Sequence, residues 1–250
     1  MTIEEIKKEL KAATVKELPS FIEKHGEDPR KAVLAVVKQA EKILKDHDSE
    51  LRRLDAMKIY ERKYEDLGLI CGIDEVGRGP FAGPVVAGAV ILPKDCDILY
   101  LNDSKKLSEK RREELYSEIM EKAVAVGIGF NSPERIDEIN ILNATYEAMR
   151  RAIDSLSVRP DVLLNDAVNI PGVSIRQVPI IKGDAKSVSI AAASIIAKVT
   201  RDRLMVKYDA IYPGYGFSSN KGYGSKEHIE TLKTLGPTPI HRRSFIHDYV

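Results

Sequence analysis

The amino-acid sequence predicts an α/β fold in which a mixed β-sheet is flanked by helices, with an N-terminal helical extension and a C-terminal helical cap. Residues 1–67 show helical periodicity and no strand signals. From Gly68 onward, short apolar runs alternate with amphipathic stretches, and fifteen of the sixteen glycines lie in this part. Because alternating strands and helices are typical of a mixed sheet, we expect one domain over residues 1–67 and a second over residues 68–250.

The N-terminal extension opens with a helix-start signal. Thr2 precedes Ile3 and two glutamates, the order expected at a helix N-terminus. Apolar residues then recur at helical spacing, namely Ala32, Val33, Val36, Val37, Ala40, Ile43 and Leu44. The 15 acidic and 15 basic residues are balanced, so the charge gives no sign of a nucleic-acid-binding arm. Extra duplex contacts and a separate protein-interaction module both remain open for this segment.

The elements after Gly68 follow from apolar runs and turn residues. Strands are predicted over residues 69–74, 85–92, 123–130, 162–164 and 173–181. Helices are predicted from Ser108 onward, over residues 143–155 and over residues 189–211. A Gly-rich turn between the first two strands predicts a hairpin with a wide loop. The last long helix is rich in Ala and Ile at its start, which predicts that its first turns are buried.

Composition and charge exclude several classes of protein. The uncharged apolar strand segment over residues 85–93 is about half of the ~20 residues that cross a bilayer. The N-terminus lacks an apolar signal-peptide core, and the two cysteines form no C-x-x-C pair. We therefore expect a cytoplasmic protein without a membrane partner. The net charge is +1, but residues 182–250 hold 11 basic against 6 acidic residues, a modest basic bias.

Four acidic residues follow short apolar strands. They are Asp74, Glu75, Asp166 and Asp184. If neighbouring strands bring them together, their repulsion is costly unless cations intervene. Adjacent strand residues point to opposite faces, so the first two can share a site only if their strand ends or distorts there. An ordinary polar strand end, or for Asp184 a turn or helix cap, is the alternative interpretation.

Such an all-carboxylate set predicts Mg²⁺ or Mn²⁺ rather than zinc, because no His or Cys accompanies it. Two such ions about 4 Å apart support phosphodiester hydrolysis, so the implied chemistry is that of a nuclease. Dinucleotide and nucleotide-triphosphate motifs are absent: Gly77 and Gly79 lack the third glycine, and no Walker-type lysine follows. Ser-His and Cys-His nucleophile schemes have no motif support, and we assign no catalytic role to His228, His241 or His247.

Ordered motifs over about residues 69–245 resemble the type 2 ribonuclease H family, bacterial ribonuclease HII. The most specific are GIDEVGRGP (72–80), AGPVV (82–86), NDSKKLS (102–108), KGD (182–184), SIAAASIIAKVTRD (189–202), NKGYG (220–224) and PIHR (239–242). The sister type 3 family has Thr in place of Arg78, so the arginine favours type 2.

The resemblance implies an RNase H-like fold and endonucleolytic cleavage of the RNA strand of RNA–DNA hybrids. It also implies cutting on the 5′ side of single ribonucleotides embedded in duplex DNA, which leaves 3′-hydroxyl and 5′-phosphate ends. Mn²⁺ or Mg²⁺ would be held by Asp74, Glu75, Asp166 and Asp184. Ala167 departs from the family pattern, in which a glycine usually follows the third acid. A catalytically silent binder of hybrid duplexes is the alternative.

The resemblance also assigns substrate contacts. Gly77, Arg78 and Gly79 would sense the 2′-hydroxyl of the ribonucleotide, since glycines let the backbone approach a sugar closely. Tyr223 would pack on the adjoining deoxyribose, within a substrate-contacting segment of about residues 212–250. Phosphate contacts, which position a duplex without reading its sequence, are expected from Lys105, Lys106, Lys198 and Lys221. We infer no obligate protein partner.

Overall fold

The computed structural model describes all 250 residues, and the chain divides into two compact units, Met1–Ala56 and Met57–Val250. Residues 57–67 belong to the second unit, where Tyr60 and Tyr64 pack against its core. The domain division predicted between residues 67 and 68 stays a prediction. No helix combines the length and the apolar composition that a membrane-spanning segment requires.

The first unit is helical, as predicted. Its helices are α1 (Ile3–Ala12), α2 (Leu18–His25) and α3 (Lys31–Ala56). Thr2 caps α1 in a reciprocal capping box with Glu5, which satisfies two backbone N–H groups at the helix start. Of the residues predicted at helical spacing, Val33, Val36, Val37 and Ala40 are in its core and Leu44 packs against it, whereas Ala32 and Ile43 are exposed. The core also contains Ile6, Leu10, Leu18 and Phe21.

The second unit has a five-stranded mixed sheet and seven helices. Its strands are β1 (Ile70–Val76), β2 (Val85–Ile91), β3 (Ala125–Asn131), β4 (Val162–Asp166) and β5 (Arg176–Ile180). Its helices are α4 (Ile59–Tyr64), α5 (Glu109–Lys122), α6 (Pro133–Asp154), α7 (Val188–Ile211), α8 (Phe217–Asn220), α9 (Lys226–Leu235) and α10 (Arg243–Ile246). The predicted α/β fold is confirmed, and a strand lies at each predicted place.

The sheet places β1 at its centre, in the order β3-β2-β1-β4-β5. Strands β1, β2 and β3 pair antiparallel, whereas β4 and β5 run parallel to β1. Leu163 packs into the core that includes α6, and its neighbour Leu164 packs into the core that includes Ile190 of α7. Since adjacent strand residues point to opposite faces, α6 and α7 cover opposite faces of the sheet.

Helix α7 lies very close to the sheet. A Cβ added at Gly72 of β1 would come within 2.0 Å of the Ser189 backbone, and one added at Gly88 of β2 within 2.5 Å of the Ala193 carbonyl oxygen. Only glycine allows this approach. The buried first turns predicted for this helix are confirmed, since residues 188–197 are all buried.

Several predicted boundaries differ from those in the structure, and two of the differences have a clear physical cause. Helix α6 begins at Pro133, ten residues before the predicted start, because Ser132 caps it by accepting a hydrogen bond from the Arg135 N–H. A kink at Asn140 (φ +66°) separates its first turns from the rest of the helix, and this kink interrupts the helical periodicity. Strand β1 continues to Val76, two residues beyond the predicted end, because its pairing with β2 is unbroken there.

Candidate active site

Strand β1 carries two of the predicted acids. Asp74 lies opposite Gly88 and Glu75 lies opposite Ala87, so both are inside the paired strand. Adjacent side chains on a regular strand leave opposite faces. The strand neither ends nor distorts at these positions, and the two carboxyl groups therefore start from opposite faces of the sheet.

Strand β4 places a third acid beside the first. The parallel pairing of β1 and β4 makes Asp74, two residues before the end of β1, the neighbour of Asp166, the last residue of β4. The backbone N–H of Gly183 donates to the Asp166 Oδ1 at 2.7 Å, and this bond joins the end of β4 to the short turn that carries Asp184. Strand order and one backbone hydrogen bond thus gather acids from three separate chain segments.

Burial and mutual repulsion govern the carboxyl groups on β1. Asp74 is 7% exposed, and its pKa is raised well above the ordinary value by desolvation and then by the charges of Glu75 and Asp166. Desolvation also raises the pKa of Glu75, which the nearby Arg78 opposes with a guanidinium nitrogen 3.4 Å from Glu75 Oε1. The acids on β1 and β4 therefore repel one another electrostatically at a poorly solvated edge of the sheet.

The turn after β5 adds Asp184, and the loop between β2 and α5 adds Asp103, which the sequence did not predict. Desolvation raises the pKa of Asp184, and the charges of Asp103 and Asp166 raise it further. The charge of Lys105 opposes this rise and also opposes the rise in the pKa of Glu75. Asp103 accepts a hydrogen bond from the Lys105 backbone N–H at 2.9 Å. It lies in the NDSKKLS motif but in a loop, so a search for acids at strand ends passes it over.

The donor chemistry fits a hard divalent cation. The four predicted acids supply only oxygen, which Mg²⁺ and Mn²⁺ prefer, and the raised pKa values show repulsion that a cation would offset. The side chains do not form a ready-made cage, since no group of three or more His, Cys, Asp or Glu residues is arranged to hold a metal ion. Asp74 and Asp166 are adjacent, and the remaining ligands would have to move towards them.

The Gly-Arg-Gly loop lies beside the predicted tyrosine. A Cβ added at Gly79 would come 3.7 Å from the Tyr223 ring, which is 45% exposed at the surface. Gly77 has φ +89°, a conformation that favours glycine. The structure therefore brings together the loop and the tyrosine, although 144 residues separate Gly79 from Tyr223 in the chain.

The predicted phosphate-binding lysines have different surroundings. Lys105 and Lys106 are exposed on the short turn after Asp103. Lys198 is engaged in a 2.8 Å ion pair with Asp202 and is only 16% exposed. Lys221 has φ +52° and donates to the Ser218 carbonyl oxygen. The assignment of all four lysines to phosphates stays a prediction.

A chain of hydrogen bonds between two buried histidines supports the Tyr223 backbone. The Thr238 N–H donates to His241 Nδ1 at 2.9 Å, which requires the neutral ring to carry its proton on Nε2. That Nε2–H donates to His228 Nε2 at 2.9 Å, and His228 Nδ1–H donates to the Tyr223 carbonyl oxygen at 2.8 Å. Burial lowers the pKa of His228 and lowers that of His241 to about 4, so both are neutral at pH 7.

Comparisons with known proteins cover both units. Residues 71–248 match the family model described as Ribonuclease HII, and residues 2–65 match its N-terminal domain model. A ribonuclease HII of Lachnoclostridium phytofermentans is 63% identical over 98% of this chain and 96% of its own length. One of Clostridioides difficile is 51% identical over 98% and 97%. The crystal structure of ribonuclease H2 from Pyrococcus horikoshii has a TM-score of 0.60 at 30% identity, covering 70% of this chain and 93% of that one.

Proposed function

This chain belongs to the ribonuclease HII family, and from that membership we propose that it cuts on the 5′ side of single ribonucleotides in duplex DNA by two-metal-ion catalysis. The membership itself makes it a type 2 ribonuclease H, an endoribonuclease that acts on the RNA of RNA–DNA hybrids. The proposal concerns the embedded ribonucleotide, the number of ions and the residues that carry them.

The observation that carries the proposal is the adjacency of Asp74 and Asp166 at the carboxyl ends of β1 and β4. The Gly183–Asp166 hydrogen bond brings the Asp184 turn to the same edge. Clustering these carboxylates does not stabilise the fold, because desolvation and mutual repulsion raise the pKa values of Asp74, Glu75 and Asp184. Such clusters are typical of functional sites.

The family is divalent-metal dependent. Asp74 and Asp166 would hold Mg²⁺ or Mn²⁺ where they lie side by side, and Glu75 and Asp184 would complete the set by moving towards them. A bound pair of these ions activates a water and stabilises the leaving oxygen of a phosphodiester. The chain itself supplies the adjacent pair Asp74 and Asp166 and a desolvated edge on which charge interactions are strong.

Substrate selection is assigned to the Gly-Arg-Gly loop and Tyr223. Arg78 is about half exposed beside Glu75, and the ring of Tyr223 lies next to Gly79. This arrangement supports a backbone contact to the ribose 2′-hydroxyl and packing of the ring on the neighbouring sugar. Phosphate contacts by Lys105, Lys106, Lys198 and Lys221 belong to the same proposal.

The organisation of the chain is also part of the proposal. We infer a helical extension over residues 1–67 and a catalytic domain over residues 68–250 whose segment 212–250 contacts substrate. The two family models, which end at residue 65 and begin at residue 71, support that division. Tyr223 lies in the proposed contact segment.

The direct test is cleavage of a duplex that carries one ribonucleotide. The purified protein is incubated with Mn²⁺ or Mg²⁺, and the products are resolved at single-nucleotide length and analysed for 5′-phosphate ends. One cut on the 5′ side of the ribonucleotide is expected, together with multiple cuts in a continuous hybrid. Tight binding without product with either ion would contradict the proposal and favour the silent binder.

A further inference from the structure

Two arginines are buried without a carboxylate partner. Arg201 of α7 and Arg242, which precedes α10, both have 0% exposure. Neither forms an ion pair with a carboxylate, although ion pairs elsewhere in the chain are numerous. A buried charge without a counter-ion is costly unless its donors are satisfied. Both guanidinium groups donate instead to backbone carbonyl oxygens.

Arg201 binds backbone carbonyl groups from two loops. Its Nε donates to the Pro84 oxygen at 2.9 Å, and its terminal nitrogens donate to Ala82 at 3.0 Å and Lys221 at 2.8 Å. The first two carbonyls follow the Gly-Arg-Gly loop, whereas Lys221 lies two residues before Tyr223. One guanidinium therefore links the predicted ribose sensor to the segment that carries the predicted stacking ring.

Arg242 binds the Gly-Arg-Gly loop itself. Its guanidinium donates to the Gly77 oxygen at 2.5 Å, to Arg78 at 2.9 Å and to Gly83 at 3.0 and 2.8 Å. Its backbone N–H donates to the Phe81 oxygen at 2.8 Å. Carbonyl groups along residues 77–84 are thereby turned towards the two buried cations.

This inward orientation leaves donors free on the loop. The backbone N–H groups of Gly77, Arg78 and Gly79 donate no hydrogen bond within the chain. The loop rests directly on one cation, because a Cβ added at Gly77 would come within 2.3 Å of Arg201 Nε. Successive free N–H groups form a site for an electronegative ligand, and positive charge beneath them strengthens it.

We propose that Arg201 and Arg242 are positioning residues for ribonucleotide recognition, which hold the loop of residues 77–84 so that its free N–H groups face the ribose of the ribonucleotide. This inference rests on the proposed function, because that function supplies the ligand. Neither arginine touches the substrate. Each acts through the loop backbone, which contacts the substrate.

Geometry and charge can be separated at these positions. Burial lowers the pKa of Arg201 to about 10, and burial together with the Arg201 charge lowers that of Arg242 to about 9, so both are charged at pH 7. Lysine keeps that charge but offers a single ammonium group in place of a planar fork. A lysine therefore cannot hold three carbonyl oxygens in the same arrangement.

The test measures binding rather than turnover. Dissociation constants in EDTA, where hydrolysis does not occur, are compared for an all-DNA duplex and the same duplex with one ribonucleotide. The ratio of the all-DNA dissociation constant to that of the ribonucleotide duplex measures ribonucleotide preference. Arg242→Lys and Arg201→Lys are expected to lower this ratio towards one, by about threefold to tenfold for each lost hydrogen bond to the ribose. The all-DNA dissociation constant is expected to stay unchanged. Arg203→Lys is the matched control, because Arg203 lies on the same helix but pairs with Glu113.

A second variant guards against loss of folding. In Arg242→Ala, millimolar guanidinium is expected to restore part of the binding ratio, whereas sodium at equal ionic strength is not. A folded lysine variant that keeps the wild-type ratio would overturn the proposal. Lower thermal stability with the ratio unchanged would also overturn it, because the role would then be structural only. Failure of the proposed function has a different signature, since wild-type protein would then bind both duplexes equally.

Discussion

Replacing Asp74 by Asn should separate activity from stability. The substitution removes one charge and keeps the shape of the side chain. Asp74 is 7% exposed, so an effective dielectric constant of about 20 is appropriate. The attraction between its carboxylate charge and a cation about 4 Å away is then worth about 4 kcal/mol. At ~1.4 kcal/mol per tenfold, the cleavage rate should fall about a thousandfold.

The same substitution should stabilise the metal-free protein. Desolvation and the charges of Glu75 and Asp166 disfavour the Asp74 carboxylate, and a neutral amide does not experience this repulsion. We therefore expect a higher melting temperature in EDTA for the Asp74→Asn variant. Hybrid binding in EDTA should persist, because the loop and Tyr223 are unchanged.

Single-turnover cleavage of a duplex with one ribonucleotide, with thermal unfolding in EDTA, measures both effects. Asp154→Asn is the matched control, since Asp154 is exposed at the end of α6 and has no side-chain partner there. Cleavage within a few-fold of wild type would refute the role given to Asp74. A lower melting temperature would refute the repulsion on which the estimate depends.

Three further predictions concern the surroundings of the site. Tyr223→Ala should slow cutting at a single ribonucleotide more than cutting of a continuous hybrid, and equal losses would count against ring packing on the sugar. His241 has a folded-state pKa lowered from 6.5 to about 4, so urea unfolding should show stability falling by up to about 3 kcal/mol as pH drops through that window, less in His241→Asn. Gly72→Ala should lower the free energy of unfolding by about 3 kcal/mol, because its Cβ would meet the Ser189 backbone at 2.0 Å. Gly79→Ala is the control and should change this free energy little, because its nearest neighbour is 3.7 Å away.

Local patterns were sufficient for most of the fold. Strands β1 to β5 follow apolar runs bounded by Gly and Pro, and the caps at Thr2 and Ser108 mark the starts of α1 and α5. The start of helix α6 was mislocated because the kink at Asn140 separates its first turns, which bury Pro133 and Ile136, from the rest and interrupts the helical period. Periodicity reports only on segments with one buried face.

The predicted acids were found for a reason that does not extend to the rest of the site. Asp74, Glu75 and Asp166 follow apolar runs and lie in the last residues of their strands, so their position along the chain already indicates the edge of a sheet. Asp103 acts on Asp184 from a loop, and a loop residue has no periodic pattern that fixes where its side chain lies. Its place depended on how the loop packs.

The sequence by itself determined the element types, the α/β class and, through its motifs, the family, because these depend on propensities and on side chains in order along the chain. Only the tertiary structure decided that Arg201 and Arg242 lie buried beneath the Gly-Arg-Gly loop. Their acceptors are carbonyl oxygens up to 165 positions away in the chain, and every residue has a carbonyl. A bond to such a common group leaves no mark in the sequence, so the folded chain alone shows which arginines support the loop.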